Sequence, residues 1–361
     1  MYKDQGGPEE KFTAKRNSGK KLEKPWRPGQ SFNPVDEAKL REKVLRYKPY
    51  EGLVDKARIL FVGPVGAGKS SSINSLNSAV KDDLSQVAYV QDASGVSVTT
   101  NYRGYELKAS DGDSARVIMC DSMGLEAENA GLNLDDIDDI LDGKVKDGIK
   151  LDRDHEKFAA KREEKAFVRQ TIQCVVLVVP ANNVSALSDS IIQKMAKISN
   201  AARHKDIVTL CLCSKIDDYL GPDDDLADIY KLVQTQDLAE QLSGKLGVGI
   251  DNMLFTANYA PFDETTYLKN ILALRCLRRM QQMCDLTLIQ QQEHIQNNVE
   301  RERREEQEQR EAAQPLKKAM RNPWAKKLSH YLGFLDDFET GFTNVPAVRI
   351  LPIGPLGVGK S

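Results

Sequence analysis

The sequence lacks the features that would assign the chain to a membrane, a secretory route or a nucleic acid. Its longest apolar run, residues 172–179, is interrupted by Gln173 and is far too short to cross a bilayer. The N-terminal segment is polar without a secretory signal, and Tyr2 after Met1 excludes a myristoylation motif. A formal net charge of −2 provides no overall attraction to nucleic acid. We therefore expect a cytoplasmic protein with no membrane span and no nucleic-acid partner.

Metal-binding cysteine patterns are also missing. The six cysteines do not have the spacing of a zinc knuckle, and four of them lie in apolar segments, namely Cys120, Cys174, Cys211 and Cys213. We expect buried free thiols, which suit a reducing cytosol. The 361 residues suffice for one large α/β domain with extensions or for two small domains.

The chain is organised around residues 58–77, RILFVGPVGAGKSSSINSLN. The apolar run Arg58–Val62 predicts a buried strand, and Ile73 and Leu76, three positions apart, predict a helix after it. Between them, Gly63–Ser70 matches the pattern G-x-x-x-x-G-K-S/T. Strand, glycine loop and helix in this order predict a phosphate-binding loop.

The residue types of this loop suit the binding of a nucleoside triphosphate with Mg²⁺. Its glycines let successive backbone N–H groups point at the phosphates, next to the positive end of the helix dipole. Lys69 would reach the β- and γ-phosphates as a catalytic cation, and the Ser70 hydroxyl would ligate Mg²⁺. The predicted cofactor-binding residues here are Gly63, Pro64, Val65, Gly66, Ala67, Gly68, Lys69, Ser70 and Ser71.

A second apolar strand, Arg116–Cys120, ends in the pattern D-x-x-G. At this distance after a phosphate-binding loop, Asp121 would hold a metal-bound water and the Gly124 N–H would face the γ-phosphate. Small GTPases place a glutamine after this glycine to orient the attacking water, whereas this chain has Leu125. An apolar side chain cannot do so, and we expect hydrolysis to be slow or to use a group from elsewhere.

The polar loop before Tyr102 is predicted to complete the metal site. In P-loop GTPases this loop supplies a threonine that joins the Mg²⁺ shell and senses the γ-phosphate. We choose Thr99 for both the metal and the catalytic role, with Thr100 as the alternative.

Two continuous apolar runs, residues 173–180 and 206–213, predict strands of a parallel sheet covered on both faces. The second run ends in Ser214-Lys215-Ile216-Asp217, which resembles the guanine motif N/T-K-x-D. Asp217 would accept the N1–H and 2-amino hydrogens of guanine, and Lys215 would pack along the base. Ser214 in place of Asn or Thr predicts a weaker bracing hydrogen bond. Residues 252–259 would form the last strand, with Ala257 and Asn258 at the position of the loop that lies over the base.

Two helices outside these motifs are predicted. Asp135, Asp136, Asp138 and Asp139 lack the spacing of a calcium loop, and the apolar residues between them favour a solvated amphipathic helix. A long helix from Thr265 becomes highly charged, with i,i+4 pairs such as Glu300 with Arg304, and is predicted to end at Pro315.

The C-terminus repeats the phosphate-binding loop. Residues 349–361, RILPIGPLGVGKS, match residues 58–70, and Pro25-Trp26 and Pro323-Trp324 would mark the start of each copy. The second copy ends at its serine without a following helix and has Pro352 in its strand, so we do not expect a working site. A truncated tandem array is our preferred interpretation, and an incomplete gene model is the alternative.

Together these motifs give the sequence a resemblance to the interferon-induced protein 44 family, over about residues 50–285. The segments that carry it are VGPVGAGKSSSINSLNS (62–78), SVTTNYRGY (97–105), MCDSMGLE (119–126), AGLNLDDIDDIL (130–141) and NYA (258–260). The resemblance implies a cytoplasmic, interferon-inducible protein of the innate antiviral response that binds GTP or GDP with Mg²⁺. Two departures are the first 50 residues, too few for the TLDc-type domain of some members, and the appended second copy.

The predicted fold class is α/β, a three-layer, G-domain-like P-loop NTPase with a mostly parallel central sheet and a long charged C-terminal helix. We expect a polar tail with one short helix over residues 1–50, a G domain over 51–285, a charged helix and linker over 286–345, and the truncated repeat over 346–361. The tail helix is predicted over Val35–Tyr47.

Two functional hypotheses stay open. The first is a slow GTPase switch, which would depend on a partner, in a homodimer through the G domain or in another protein, to position water. The second is a non-hydrolysing GTP-binding scaffold whose charged helix, about residues 286–312, binds an unidentified protein. An ATP-using kinase ranks third because Asp217 favours guanine.

Overall fold

A computed structural model of the chain describes residues 19–28, 31–88, 101–126, 132, 134–149, 167–260 and 263–320, except the side chains of residues 134, 135 and 309–320. The chain divides into two units, Met1–Val299 and Glu300–Ser361. The sheet and the predicted site residues belong to the first unit. Thr99, Thr100 and the repeated loop at 346–361 lie outside the described residues.

Six strands of the described part of the chain form one sheet in the order β2-β3-β1-β4-β5-β6. They are β1 (Ala57–Val62), β2 (Arg103–Lys108), β3 (Ser114–Asp121), β4 (Cys174–Pro180), β5 (Val208–Ser214) and β6 (Met253–Phe255). Only the edge strand β2 runs antiparallel to its neighbour, so the predicted mostly parallel sheet is confirmed. The last strand is shorter than the predicted 252–259.

Helices cover both faces of this sheet. They are α1 (Pro34–Leu45), α2 (Lys69–Lys81), α3 (Leu134–Leu141), α4 (Asp189–His204), α5 (Ile216–Tyr219), α6 (Val233–Leu246) and α7 (Tyr267–Met320). Short 3₁₀ turns lie at Tyr50–Gly52, Val168–Gln170, Ala181–Ala186, Leu226–Asp228 and Ile250–Asn252.

The two cores explain why the central strands are apolar without alternation. Leu60 of β1 and Val175 of β4 pack in one cluster with Ile137 of α3, Met195 of α4 and Leu242 of α6. The neighbouring strand residues point the other way: Ile59 and Val176 pack with Val44 of α1, Leu76 of α2 and Leu277 of α7. Because side chains alternate between faces and both faces are buried, every position of β1 and β4 is buried. The three-layer α/β fold is confirmed.

The N-terminal segment is anchored where the composition predicts a polar tail. The Trp26 ring meets Tyr230 and Phe255 edge-on, with centroid distances of 5.5 and 6.0 Å. The Arg27 guanidinium donates to the Met253 and Ile250 carbonyl oxygens at 2.7 and 2.9 Å. One aromatic ring and one arginine hold this segment, although its average composition is polar.

Helix α7 extends further than predicted. It begins at Tyr267, close to the expected Thr265, but passes through Pro315 to Met320. Proline removes one backbone hydrogen bond and strains one turn. In this helix the backbone stays helical on both sides of Pro315, so the predicted end there is wrong.

Helix α3 differs from the predicted solvated helix in its acidic residues. Asp136 and Asp139 are buried, whereas Asp138 is exposed. Asp139 lies 3.6 Å from the Lys144 ammonium, which compensates its charge.

All six cysteines are free and buried, as expected. No helix within the described ranges is both long and apolar enough to cross a membrane.

Candidate nucleotide-binding site

The glycine loop joins the end of β1 to the start of α2, at the carboxyl edge of the sheet. Gly66 and Gly68 have φ angles of +74° and +88°, in the left-handed region that side chains disfavour. A Cβ atom on Gly68 would also lie 3.1 Å from the Asn258 Nδ2 atom. The sequence therefore folds here into the tight turn that the motif predicts. Ser71, the third residue of α2, is half-buried.

Lys69 lies beneath this loop in a buried position. Its Nζ donates to the Gly63 and Pro64 carbonyl oxygens at 3.1 and 3.2 Å. Burial lowers the pKa of the Lys69 ammonium, and the negative charge of Asp121 opposes this shift. The carbonyl contacts fix a cation at the loop before any ligand binds.

Ser70 and Asp121 meet next to this lysine. The Ser70 hydroxyl donates to Asp121 Oδ2 at 2.5 Å, and the Asp121 side chain is only 1% exposed. Its other oxygen, Oδ1, is buried and has no hydrogen-bond partner among the residues that the structure describes. Burial raises the pKa of the Asp121 carboxyl, and the charge of Lys69 lowers it. A buried carboxylate oxygen without a partner, beside a serine hydroxyl, provides the hard oxygen ligands that Mg²⁺ prefers.

The D-x-x-G segment is joined to the glycine loop by backbone hydrogen bonds of Leu125 and by the close approach of Gly124 to Val65. The Leu125 N–H donates to the Gly63 carbonyl at 3.0 Å, and the Val65 N–H donates to the Leu125 carbonyl at 3.4 Å. A Cβ atom on Gly124 would lie 2.6 Å from Val65 Cγ2, so this close approach requires glycine. The two segments that would surround a γ-phosphate are therefore joined by backbone hydrogen bonds.

The Leu125 side chain points into the core. It is 2% exposed and packs in the same cluster as Val62, Cys120 and Met123. The sequence shows only that this residue is apolar. The structure adds that the side chain at this position is buried in the hydrophobic core.

The base end of the site follows β5. Ser214 donates to the Ala67 carbonyl oxygen at 2.5 Å, so a bracing hydrogen bond to the glycine loop is present, and its weakness relative to that of Asn or Thr stays a prediction. The serine is fully buried and close enough to reach the loop directly. Lys215 has a φ angle of +54°, and Asp217 in the following turn is 33% exposed. Burial raises the pKa of Asp217, and the positive charge of Lys269 opposes this shift.

The segment after β6 connects the base end to the phosphate end. Ala257 is buried, and the Asn258 side-chain amide donates to the Ser72 hydroxyl on α2 at 3.1 Å. The Tyr259 N–H donates to the Ser75 hydroxyl at 2.9 Å. The described predicted residues are therefore brought together at one edge of the sheet.

Sequence reasoning missed one residue of this site, Lys269 on α7. Its ammonium lies 3.7 Å from Asp217 Oδ2 and donates to the Asn258 carbonyl oxygen at 3.2 Å. No motif marks it. A lysine in the first turn of a helix, where the dipole disfavours a cation, is the signal that could have indicated a special role.

The comparisons with known proteins agree with this fold. The family described as "50S ribosome-binding GTPase" matches residues 58–213. Interferon-induced protein 44 of Mus musculus is 32% identical over 243 residues, which are 65% of this chain and 56% of that protein. Interferon-induced protein 44-like of Homo sapiens is 32% identical over 247 residues, or 66% of this chain and 54% of that protein. The chain thus spans about half the length of the curated relatives it matches.

Among solved structures, Toc33 from Arabidopsis thaliana in complex with Mg²⁺ and GMPPNP has 12% identity and a TM-score of 0.41, covering 70% of this chain and 93% of that one. The GTPase family match, residues 58–213, includes the phosphate-binding loop and D-x-x-G. The chain is therefore similar to interferon-induced protein 44 proteins over about 65% of its length, and its residues 58–213 match a GTPase family.

Proposed function

We propose that this chain binds GTP and GDP with Mg²⁺ and acts as a slow GTPase switch of the interferon-induced innate antiviral response in the cytoplasm. The observation that carries the nucleotide proposal is the buried Ser70–Asp121 pair, with its unpartnered carboxylate oxygen, beside the fixed Lys69 ammonium. The names of the relatives support the biological setting.

The phosphate end would be served by the glycine loop, Ser70, Asp121 and Gly124, together with Thr99, which lies outside the described residues. Lys69 and the loop N–H groups would bind the β- and γ-phosphates, and Gly124 would offer its N–H to the γ-phosphate. Ser70, Asp121 and Thr99 would hold Mg²⁺, with Asp121 acting through a bound water. The metal would neutralise phosphate charge. Release of the contacts at Thr99 and Gly124 would be the switch.

The base end would select guanine by charge and hydrogen bonding. Asp217 would accept the N1–H and the 2-amino hydrogens, two donors that adenine does not present in that arrangement. Lys215 would pack along the base, and Ala257 and Asn258 would close over it. The Ser214 hydroxyl donates a hydrogen bond to the Ala67 carbonyl oxygen and so joins the base segment to the phosphate loop. This bond supports a fixed distance between the two segments.

Turnover would be slow because the residue directly after Gly124 is the apolar Leu125, which cannot orient water by hydrogen bonding. Leu125 is packed in the core, and the Val65 side chain lies against Gly124. A water-orienting group would therefore come from a partner, either a second G domain in a homodimer or another protein.

A non-hydrolysing scaffold is the second candidate, and the buried Leu125 favours it. Nucleotide would then stabilise the fold, and the charged part of α7, about residues 286–312, would bind an unidentified protein partner. The side chains at Arg301, Arg303 and Arg304 are exposed, which suits such contacts.

Single-turnover hydrolysis at rising protein concentration distinguishes these candidates. For a switch we expect Mg²⁺-dependent cleavage of GTP that accelerates with concentration and is absent from the Lys69→Met variant. ATP would be cleaved less or not at all. Tight GTP binding without cleavage at any concentration would leave the scaffold, and absence of binding would exclude both candidates.

Leu125→Gln is expected to leave the slow hydrolysis unchanged and to destabilise the protein. Because the side chain lies in the core, glutamine there would bury an unpaired amide, at a cost of about 2–4 kcal/mol in the free energy of unfolding. Urea denaturation and single-turnover assays measure the two effects. Leu125→Met, which conserves volume and polarity, is the control and should lose less than about 1.5 kcal/mol. A rate increase in Leu125→Gln would show that this side chain can turn towards the nucleotide.

A further inference from the structure

Lys269 occupies an electrostatically unfavourable place in its helix. It lies in the first turn of α7, and that turn contains no acidic residue. The Lys269 N–H donates to the Thr266 hydroxyl at 3.4 Å, as expected at a helix start. A cation near a helix N-terminus is disfavoured by the dipole. Groups outside the helix must therefore hold the ammonium there.

The groups that hold it come from the segment after β6. Lys269 Nζ lies 3.1 Å from Asp263 Oδ2, donates to the Asn258 carbonyl oxygen at 3.2 Å and lies 5.3 Å from the centre of the Tyr259 ring. The lysine side chain is 19% exposed. Asp217 Oδ2 lies 3.7 Å from the same ammonium. Lys269 thus joins the carboxylate of the proposed base site to the start of α7.

This arrangement is itself braced. The Tyr259 hydroxyl donates to Asn270 Oδ1 at 2.9 Å and accepts from the Thr266 N–H at 3.0 Å. The Asn270 side-chain amide in turn donates to Glu37 Oε1 on α1 at 2.9 Å. Bonds from three elements therefore fix the tyrosine and the helix start between which the lysine lies, so the position of its charge is set in advance of binding.

A fixed positive charge beside Asp217 has a consequence for base choice. An ionised carboxylate only accepts hydrogen bonds, which matches the two donors of guanine. Adenine presents an acceptor at N1 and a donor at its 6-amino group, so an ionised carboxylate does not match it. The Lys269 ammonium lies 3.7 Å from Asp217 Oδ2, where its charge attracts and orients this carboxylate.

We propose that Lys269 is a positioning residue that determines base specificity: its ammonium holds the Asp217 carboxylate in place as the acceptor for guanine. The proposal rests on the proposed function of the same site, and it adds a residue from outside the base-binding segments. It also makes the start of α7 part of the nucleotide site.

Neutral and charged replacements of Lys269 test this role. Lys269→Gln keeps a side-chain N–H donor, one bond shorter than lysine, but lacks the charge, whereas Lys269→Arg keeps the charge. GTP and ATP affinities are measured by titration calorimetry on the full chain with Mg²⁺. We expect the ratio of GTP to ATP affinity to fall about tenfold in Lys269→Gln, a typical effect of losing a charged contact, and to be retained in Lys269→Arg. Lys269→Met is a second neutral variant, to be used if the glutamine variant does not fold.

The matched control is Lys205→Gln. Lys205 is 29% exposed and pairs with Asp142 at 2.6 Å, but it precedes β5, at the opposite edge of the sheet. The Lys205→Gln variant should leave the GTP and ATP affinities unchanged. An equal fall of GTP and ATP affinity in Lys269→Gln, or no change in either, would overturn the specificity role. A wild-type chain that binds no guanine nucleotide would overturn the proposed function itself, and Lys269 would lose its role with it.

Discussion

Lys69→Met is expected to lower the affinity for GTP at least about 100-fold, equivalent to about 2.7 kcal/mol. The ammonium is buried and is held by two backbone carbonyl oxygens, so its charge is in place for the phosphates without reorganisation. Charge-assisted hydrogen bonds in such surroundings are the strong ones. Methionine keeps the length of the side chain and removes the charge. Titration calorimetry with GTP and Mg²⁺ measures the loss.

Lys81→Met is the matched control for this variant because Lys81 ends the same helix, α2. It should bind GTP as the wild-type chain does. The apo melting temperature of Lys69→Met should be recorded as well, because Asp121 would lose its compensating charge. If Lys69→Met is folded and retains wild-type affinity, the glycine loop is not the phosphate site.

Asp217→Asn is expected to reduce GTP affinity about 100-fold and to create binding of xanthosine triphosphate. The carboxylate accepts two hydrogen bonds from guanine, whereas an asparagine amide accepts one and donates one. Xanthine offers a donor at N1 and an acceptor at C2, which matches the amide. Competition binding with GTP, ATP and xanthosine triphosphate measures this exchange of preference.

The neighbouring Asp218→Asn is the control for Asp217. Asp218 is exposed and accepts a hydrogen bond from the Asn182 side-chain amide at 3.1 Å. It should keep the preference for GTP. An unchanged preference in Asp217→Asn would mean that this carboxylate does not meet the base, and the nucleotide would then be selected by other groups or not at all.

The sequence predicts the sheet well because both of its faces are covered. Every position of β1 and β4 is buried, and the resulting unbroken apolar runs are a strong signal. The glycine loop follows directly from β1, and D-x-x-G begins at the end of β3, whose last three residues are buried. Motif spacing thus suffices to place Lys69, Ser70 and Asp121 together at one edge of the sheet.

Features that depend on tertiary packing could not be predicted. Leu125 is apolar in the sequence, but only the fold shows that it faces the core. The anchors Trp26 and Arg27 are hidden by the polar average of the first 50 residues. Lys269 belongs to no motif, and it reaches Asp217 only because the start of α7 is held at Tyr259.

The anchored N-terminal segment provides a built-in optical probe. The chain has two tryptophans, Trp26 and Trp324. In a Trp324→Phe chain, all indole emission would come from Trp26, whose ring centre lies 6.0 Å from that of Phe255. Phe255 is the last residue of β6, directly before the segment with Ala257 and Asn258. Intrinsic fluorescence can therefore follow events at the base end of the site in real time, with natural nucleotides that carry no dye.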